Sequence, residues 1–238
     1  MGVKVRHSIP NSLTFLSIAC GLTSILMSSQ GYLYLAGYLI FGSFLMDLVD
    51  GILARKLNVQ SLLGQQLDSL ADLVGLGIAP LVLIFHHISS REAISIWIIP
   101  FLVLAACSSA FRLARFNLLP PKSNNRSDSL GLTLFHTGFT LTVAVLSDLS
   151  FSGYSLPFGV YAGLLVVLSF SMICKLSFPP LLWFFSSRIQ TIVIILCMIL
   201  FLFFLPPFTT LFVFSIGHLC FSVGRGLYIK FSGKSPAK

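Results

Sequence analysis

Residues 47–72 read DLVDGILARKLNVQSLLGQQLDSLAD, and the rest of the chain is best understood from this stretch. It contains Asp47, Asp50, Asp68 and Asp72, which are four of only seven acidic residues in the protein. The first pair is spaced i, i+3 and the second i, i+4, so on helices each pair projects from a single face. Because one pair ends an apolar run and the other opens the next, the connection can bring both pairs together at one membrane surface.

Carboxylates at close quarters repel one another, and an aspartate within the bilayer costs up to about 3 kcal/mol. Divalent cations offset both effects, and ligands that are all oxygen atoms suit Mg²⁺ or Mn²⁺. We therefore predict a metal site for two such ions at Asp47, Asp50, Asp68 and Asp72. The alternative is that the four carboxylates simply mark solvated helix ends.

The composition is that of a polytopic membrane protein. The chain has 238 residues, of which 56% are hydrophobic and 9% charged, whereas a soluble domain carries about a quarter charged residues. Residues 1–238 are predicted to form one integral-membrane domain. There is no dense Lys/Arg block or basic-aromatic face, which argues against nucleic-acid binding. His136 and His218 lie singly in apolar runs, and each is expected to have a hydrogen-bonded structural role.

The apolar runs predict an all-α bundle of about eight transmembrane helices, a six-helix catalytic core followed by two C-terminal helices. The predicted spans are 12–27, 32–54, 64–85, 94–116, 130–146, 156–174, 189–205 and 208–229. If both termini are cytoplasmic, all of the fifteen Lys and Arg residues except Arg91 fall in or beside cytoplasmic connections. This positive-inside bias predicts that orientation and places the four aspartates on the cytoplasmic side.

A cluster at one membrane surface favours chemistry on a substrate that is partly lipid and partly water-soluble. Two divalent ions held by shared carboxylates suit phosphoryl-type transfer. Gly51, Ala54 and Gly64 lie on the same faces, and either leave space for a ligand or permit close helix packing. A cation or lipid transporter is a distant alternative, since a transport path places its ionisable residues near the midplane.

The segment from Asp47 to Arg55, with that from Gly64 to Asp72, resembles the D-x-x-D-G-x-x-A-R…G-x-x-x-D-x-x-x-D motif of the CDP-alcohol phosphatidyltransferases. Every position of the motif is filled. Within that family the chain is most similar to the phosphatidylserine synthase branch. The strings that carry this second resemblance are Pro10-Asn11 with Leu13-Thr14, Leu67 to Asp72, Gly77 to Pro80, and Arg112 to Asn117.

The resemblance implies that Asp47, Asp50 and Asp68 hold the metal ions that bind the CDP diphosphate. It implies that Asp72 completes the second metal site and is the general base for the acceptor hydroxyl, which needs a base to become a good nucleophile. The implied substrates are CDP-diacylglycerol and L-serine, and the products are phosphatidylserine and CMP. The implied location is the cytoplasmic face of the inner membrane, and the choice between monomer and homodimer stays open.

The resemblance also implies that Gly51, Ala54 and Gly64 line the nucleotide pocket. Arg55 either contacts phosphate or is an interfacial cation. Arg112 and Arg115, with Asn117 just beyond, are expected to bind the serine carboxylate or a phosphate, because arginine presents a planar fork of donors. The alternative for the two arginines is positive-inside anchoring.

The chain departs from the branch at three places, and the third of them bears on the acceptor. Ser17 stands where the branch often has Asn, and Leu62-Leu63 replaces the usual Pro-Phe before the glycine. Gly131-Leu-Thr-Leu-Phe135 stands where the branch usually has Gly-Leu-Pro. A different acceptor alcohol, such as glycerol 3-phosphate or an inositol phosphate, is therefore the nearest alternative to serine.

Overall fold

The computed structural model describes residues 3–57, 61–91, 95–118, 129–151, 155–179, 196–198, 200–202 and 204–232. The α-helices are α1 (Val3–Ser29), α2 (Leu33–Leu57), α3 (Leu62–Asp72), α4 (Ala79–Ser89), α5 (Ile99–Asn117), α6 (Leu134–Ser150), α7 (Phe158–Ile173) and α8 (Pro207–Ser232). A π-helical segment, Leu73–Ile78, joins α3 to α4, and a 3₁₀ turn, Ser95–Ile98, leads into α5. Most of the predicted seventh span, 189–205, lies outside the described residues, and those between 196 and 204 that are described are helical.

Within the described part of the chain, five helical stretches are long and apolar enough to cross a membrane. They are Asn11–Ser29, Leu33–Leu53, Leu62–Ser89, Ile96–Asn117 and Pro207–Phe231. The shorter α6 lies at the centre of the bundle with most of its side chains buried, and α7 is apolar throughout. The prediction of an all-α polytopic membrane protein is confirmed. Exposed side chains such as Leu26, Leu45 and Val103 are apolar, which suits a surface in contact with lipid.

The helix that begins at Leu62 contains a proline in its middle, yet it continues to Ser89 through the π-helical segment. Pro80 has no N–H group and cannot donate to a carbonyl in the preceding turn. The π-helical turns absorb this defect, and the Ala79 N–H bonds to the Val74 carbonyl, five residues earlier. Because the segment starts directly after Asp72, the last motif carboxylate stands where the helical geometry changes.

Small residues bring the π-helical segment close to its neighbours. A side chain on Gly75 would overlap the Ser43 hydroxyl of α2, and one on Gly21 of α1 would lie 2.8 Å from the Gly75 Cα. On another side, a Cβ on Gly138 of α6 would lie 2.5 Å from the Leu76 carbonyl oxygen. Close approach of this kind gives membrane helices the packing contacts that hold them together.

A polar cluster joins α4, α6 and α7 at the end of the bundle remote from the motif aspartates. Asp148 accepts hydrogen bonds from His87 Nε2 at 2.7 Å, Arg91 Nη1 at 2.8 Å and the Tyr161 hydroxyl at 3.2 Å. His87 lies roughly 28 Å along the helix from Asp68, at about 1.5 Å per residue. The predicted span ends at residue 146, but Asp148 is buried in the last turn of α6 because these donors satisfy its carboxylate.

The starts of α1 and α6 differ from the predicted ones for identifiable reasons. α1 begins at Val3 and not at residue 12, so Pro10 lies inside the helix, where it removes one backbone hydrogen bond. α6 begins at Leu134 and not at residue 130, because Gly131 has a positive φ of 79° and Thr133 caps the helix.

The residues just before α6 form a short β-ladder that the sequence did not indicate. Strand β1 (Ser129–Leu130) pairs antiparallel with β2 (Ser177–Phe178), which follows α7. The Gly131 N–H donates to the Leu176 carbonyl at 2.9 Å and extends the contact. A pairing of two residues with two others, far apart in the chain, leaves no periodic pattern by which it could be predicted.

We expect Gly138→Ala to lower the melting temperature of the detergent-purified protein. The new methyl group would lie 2.5 Å from the Leu76 carbonyl oxygen and push α6 away from the π-helical segment, and overpacking typically costs about 1–3 kcal/mol. Gly163→Ala is the matched control, because no described atom lies within 4 Å of a Cβ placed there. Equal melting temperatures for the two variants in a scanning-fluorimetry measurement would contradict the prediction.

Candidate active site

The four motif aspartates meet where α2 ends and α3 begins. α2 carries Asp47 and Asp50, and α3 carries Asp68 and Asp72. One carboxylate oxygen from each of Asp47, Asp50 and Asp68 lies within 4.8 Å of the others. The carboxyl group of Asp47 also interacts with that of Asp72. The two pairs therefore come together, as their spacing predicts.

The surroundings of the cluster leave most of its negative charge uncompensated. Asp50 is buried, with 4% of its surface exposed, and Asp47 and Asp68 are partly buried. Arg112 of α5 interacts electrostatically with Asp72. Among the described residues, one guanidinium beside four carboxyl groups is not enough to balance them, so this part of the structure calls for further positive charge.

The donor set fits a hard divalent cation. A six-coordinate Mg²⁺ with bonds of about 2.1 Å spaces neighbouring ligand oxygens by about 3 Å and opposite ones by about 4 Å. The oxygens of Asp47, Asp50 and Asp68 are within 4.8 Å of one another, so small rotations of the side chains bring them onto such an ion. All of these donors are carboxylate oxygens, which Mg²⁺ and Mn²⁺ prefer to nitrogen or sulfur.

The glycines of the motif lie beside the cluster in two different environments. Among the described residues, no atom lies within 4 Å of a Cβ placed on Gly51, so Gly51 leaves open space and does not serve close helix packing. A Cβ on Gly64 would contact the Ser61 hydroxyl at 3.1 Å and the Asn11 Oδ1 at 3.6 Å. The side chains of Ala54 and Arg55 lie outside the described part of the structure, and their predicted roles stay predictions.

Of the three residues expected to bind the acceptor, Arg112 is the one whose surroundings best fit that prediction. It is largely buried beside Asp72, and its Nε atom is buried with no hydrogen-bond partner among the described residues. Its guanidinium also lies 5.9 Å from the centre of the Phe116 ring. A buried donor without a partner is costly, so Arg112 keeps a hydrogen-bonding capacity that the described residues do not use.

Arg115, one turn further along α5, is engaged with the protein backbone. Its Nη1 donates to the Ile173 carbonyl at 3.0 Å, and its Nη2 to the Leu130 carbonyl at 2.7 Å. The second contact lies next to Gly131, where a side chain would come within 2.9 Å of Arg115 Nη2. Arg115 thus ties α5 to the end of α7 and to the segment before α6.

Asn117 is engaged in the same way, with a residue of the motif helix. Its Nδ2 lies 3.0 Å from the Ser69 hydroxyl, which also lies 3.1 Å from the Gln65 carbonyl oxygen. Because Ser69 follows Asp68 directly, this hydrogen bond joins the end of α5 to α3, the helix that carries Asp68 and Asp72. Asn117 contacts a neighbour of the aspartates, and not the aspartates themselves, in the described residues.

The residues from Gly131 to Phe135, where the chain departs from the branch, have structural roles at the start of α6. Leu132 is buried in the core, and the Thr133 side chain accepts a hydrogen bond from the His136 N–H at 3.3 Å as the cap of α6. A threonine cap replaces the proline that the resembling branch has at this point, and both residues suit the start of a helix. The altered residues therefore explain the helix start without entering the carboxylate cluster.

One neighbour of the cluster was absent from the sequence motif. Thr14 of α1 donates its hydroxyl hydrogen to Asp50 Oδ2 at 2.8 Å, and both side chains are buried. The signal in the sequence is a row of hydroxyl residues, Thr14, Ser17 and Ser24, spaced so that they share one face of α1. That row identifies a polar helix face but not its partner.

The comparisons with known proteins agree with this site. A family model described as CDP-alcohol phosphatidyltransferase matches residues 7–221. A CDP-diacylglycerol–serine O-phosphatidyltransferase of Helicobacter pylori is 28% identical over 242 residues, covering 96% of this chain and 95% of that protein. An archaetidylserine synthase of Methanothermobacter thermautotrophicus is 30% identical over 176 residues, or 72% of this chain and 70% of that protein. A Mycobacterium leprae protein named CDP-diacylglycerol–serine O-phosphatidyltransferase is 38% identical over 111 residues, which cover 47% of this chain and 36% of that protein.

The fold and the site define a polytopic membrane protein with a cluster of carboxylates where two of its helices meet. The chain belongs to the CDP-alcohol phosphatidyltransferase family, because the family model covers nearly its whole length. It is therefore a transferase, and the four aspartates of its motif are the residues that the structure brings together.

We expect Arg115→Lys to lower the melting temperature of the purified protein. A lysine ammonium cannot reach the Ile173 and Leu130 carbonyls together as the guanidinium does, and the loss of a hydrogen bond from a charged group costs about 1.5–3 kcal/mol. Scanning fluorimetry measures the shift. An unchanged melting temperature together with a raised KM for the acceptor alcohol would show instead that Arg115 binds the acceptor.

Proposed function

We propose that the protein transfers the phosphatidyl group of CDP-diacylglycerol to the hydroxyl of L-serine, forming phosphatidylserine and releasing CMP. The observation that carries this proposal is the convergence of oxygens from Asp47, Asp50 and Asp68 within 4.8 Å, with Asp72 beside them. The choice of serine is supported by the names of the Helicobacter and Methanothermobacter relatives, both of which include it.

The residues of α2 and α3 bind the nucleotide end of the lipid in this proposal. Asp47, Asp50 and Asp68 hold divalent cations, and Asp72 completes a second site. When bound, one or two Mg²⁺ or Mn²⁺ ions supply positive charge that neutralises the diphosphate and the leaving phosphate oxygen. The open space beside Gly51 gives the nucleotide room against the backbone of α2, with Ala54, Gly64 and Arg55 assigned to the same pocket by the family motif.

Asp72 acts as the general base. It accepts the proton of the serine hydroxyl while the hydroxyl oxygen attacks the phosphorus that carries diacylglycerol. The bond from serine oxygen to phosphorus forms, the bond from that phosphorus to the CMP oxygen breaks, and CMP leaves as the anion. Arg112 is placed beside Asp72, so its guanidinium can hold the serine carboxylate while the hydroxyl faces the base.

The active site faces the cytoplasm in our proposal, at the inner membrane, within a single domain of residues 1–238. The contacts of the described helices support this orientation. Asn11, near the start of α1, lies beside Gly64. Gly226, near the end of α8, lies beside Ser177 of β2. The start of α1 and the end of α8 therefore lie at the end of the bundle that carries the aspartates, which is also where the positive-inside bias places the cytoplasm.

The decisive experiment measures CMP release by the purified protein with CDP-diacylglycerol and a panel of alcohols. We expect release that depends on L-serine, stops when the metal is stripped with EDTA, and returns when Mn²⁺ or Mg²⁺ is restored. Turnover in excess EDTA after stripping would contradict the metal site. Turnover with glycerol 3-phosphate or an inositol phosphate, and none with serine, would assign a different acceptor.

Asp72→Asn is the matched variant for this assay. Asparagine has nearly the same shape as aspartate but cannot take up the proton, so CMP release should be lost while CDP-diacylglycerol still binds, because a base acts mainly in the transition state.

We expect Arg112→Lys to raise the KM for serine on the order of 10- to 100-fold, because lysine keeps the charge but loses the two-pronged contact with a carboxylate. The KM for CDP-diacylglycerol should stay nearly unchanged. Arg115→Lys is the matched control, since it makes the same change one turn further along α5 at a guanidinium that bonds to backbone carbonyls. Steady-state kinetics with each substrate varied in turn measure both KM values in each variant. Unaltered serine kinetics in Arg112→Lys would contradict the assignment of Arg112 to the serine carboxylate.

A further inference from the structure

A row of hydroxyl side chains on α1 faces α2, and its members have different partners. Ser17 lies 2.8 Å from the Ser43 hydroxyl, and Ser24 donates to the Ala36 carbonyl at 2.9 Å. Both of these contacts join neutral groups and serve to pack the two helices. Thr14 lies at the end of the row nearest the active site, and its partner is the carboxylate of Asp50.

The contact between Thr14 and Asp50 has the properties of an orienting hydrogen bond. The oxygens are 2.8 Å apart, and each side chain is only 4% exposed. A hydroxyl group that donates to one oxygen of a carboxylate restricts rotation of the carboxylate about its last torsion. The hydrogen bond from Thr14 of α1 therefore holds one oxygen of Asp50. A carboxylate oxygen of Asp50 also lies in the cluster formed with Asp47 and Asp68.

The helix that carries Thr14 is itself held firmly against α2. The hydrogen bonds of Ser17 and Ser24 continue the row along α1, and the close approach of Gly21 to Gly75 fixes α1 against the π-helical segment. A donor on a helix that is positioned in this way gives its carboxylate a defined direction. When a group that hydrogen-bonds to a metal ligand and orients it is removed, the metal affinity commonly changes about 10- to 100-fold.

We propose that Thr14 is a positioning residue for the metal site, and that its hydroxyl orients the Asp50 carboxylate for a divalent cation. This inference rests on the proposed function, because it needs Asp50 to be a metal ligand. Thr14 touches neither substrate nor reacting atoms in this assignment. Its effect is therefore on the affinity for the ion, and it reaches the reaction only through the occupancy and alignment of the site.

The test is a titration of the detergent-purified full chain with Mn²⁺, following the EPR signal of the free ion, in the absence of substrate. Thr14→Val removes the hydroxyl and keeps the shape, and should weaken Mn²⁺ binding about 10- to 100-fold. Thr14→Ser restores the donor and should bind within a few-fold of the wild type. Thr14→Ala is the second variant if valine does not yield folded protein.

Ser17→Ala is the matched control. It removes a buried hydroxyl from the same face of α1, one turn away, where the partner is Ser43 and not a carboxylate. A purely structural role for the row would lower the melting temperature in both variants and leave Mn²⁺ affinity alike. We expect the affinity to fall in Thr14→Val and Thr14→Ala, and to be preserved in Ser17→Ala.

Two different failures are distinguishable in this titration. If the wild type binds Mn²⁺ and Thr14→Val binds it equally well, the positioning role is overturned and the proposed function stands. If the wild type does not bind Mn²⁺ at all, the metal site of the proposed function is overturned together with the role of Thr14.

Discussion

The mutual repulsion of four carboxyl groups is the constraint on which the rest of this structure depends. Charges of one sign a few ångströms apart repel strongly where water is scarce, and the chain offers Arg112 and the Thr14 hydroxyl as partial compensation. In the proposed function, divalent cations offset this repulsion, and the bound cations in turn attract the anionic diphosphate.

Holding such groups together requires helices that cannot separate, and the bundle is joined near both of its ends. Near the aspartates, Arg115 and Asn117 connect α5 to the end of α7 and to the motif helix. At the remote end, Asp148 gathers donors from α4 and from α7. Between them, Gly75 and Gly138 let backbones approach so closely that the π-helical segment has little freedom to shift. A site built on packed helices keeps its ligands aligned better than one built on loops.

The side of the site that receives the acceptor is formed by few groups. Arg115 and Asn117 use their polar atoms within the protein, so Arg112 is the guanidinium of α5 that keeps a buried donor without a partner among the described residues. The unusual residues after Gly131 serve the start of α6. In the proposed function, selection among acceptor alcohols therefore depends on a small number of charges beside Asp72.

The membrane class, the family motif and the pairing of the aspartates were predictable from the sequence, because composition and the i, i+3 and i, i+4 spacings are local properties of the chain.

Only the tertiary structure decided what lies opposite each side chain. His136 and His218 were each expected to have a hydrogen-bonded structural role. His218 has one, with the Ser222 hydroxyl at 3.4 Å, whereas the His136 ring lies 4.7 Å from that of His218 and its nitrogens have no hydrogen-bond partner among the described residues. The π-helical segment could not be predicted, because a helix that is apolar on every side has no hydrophobic periodicity from which a change of helical pitch could be recognised. The partners of Thr14 and Arg115 come from distant parts of the chain, and such contacts exist only once the helices have packed.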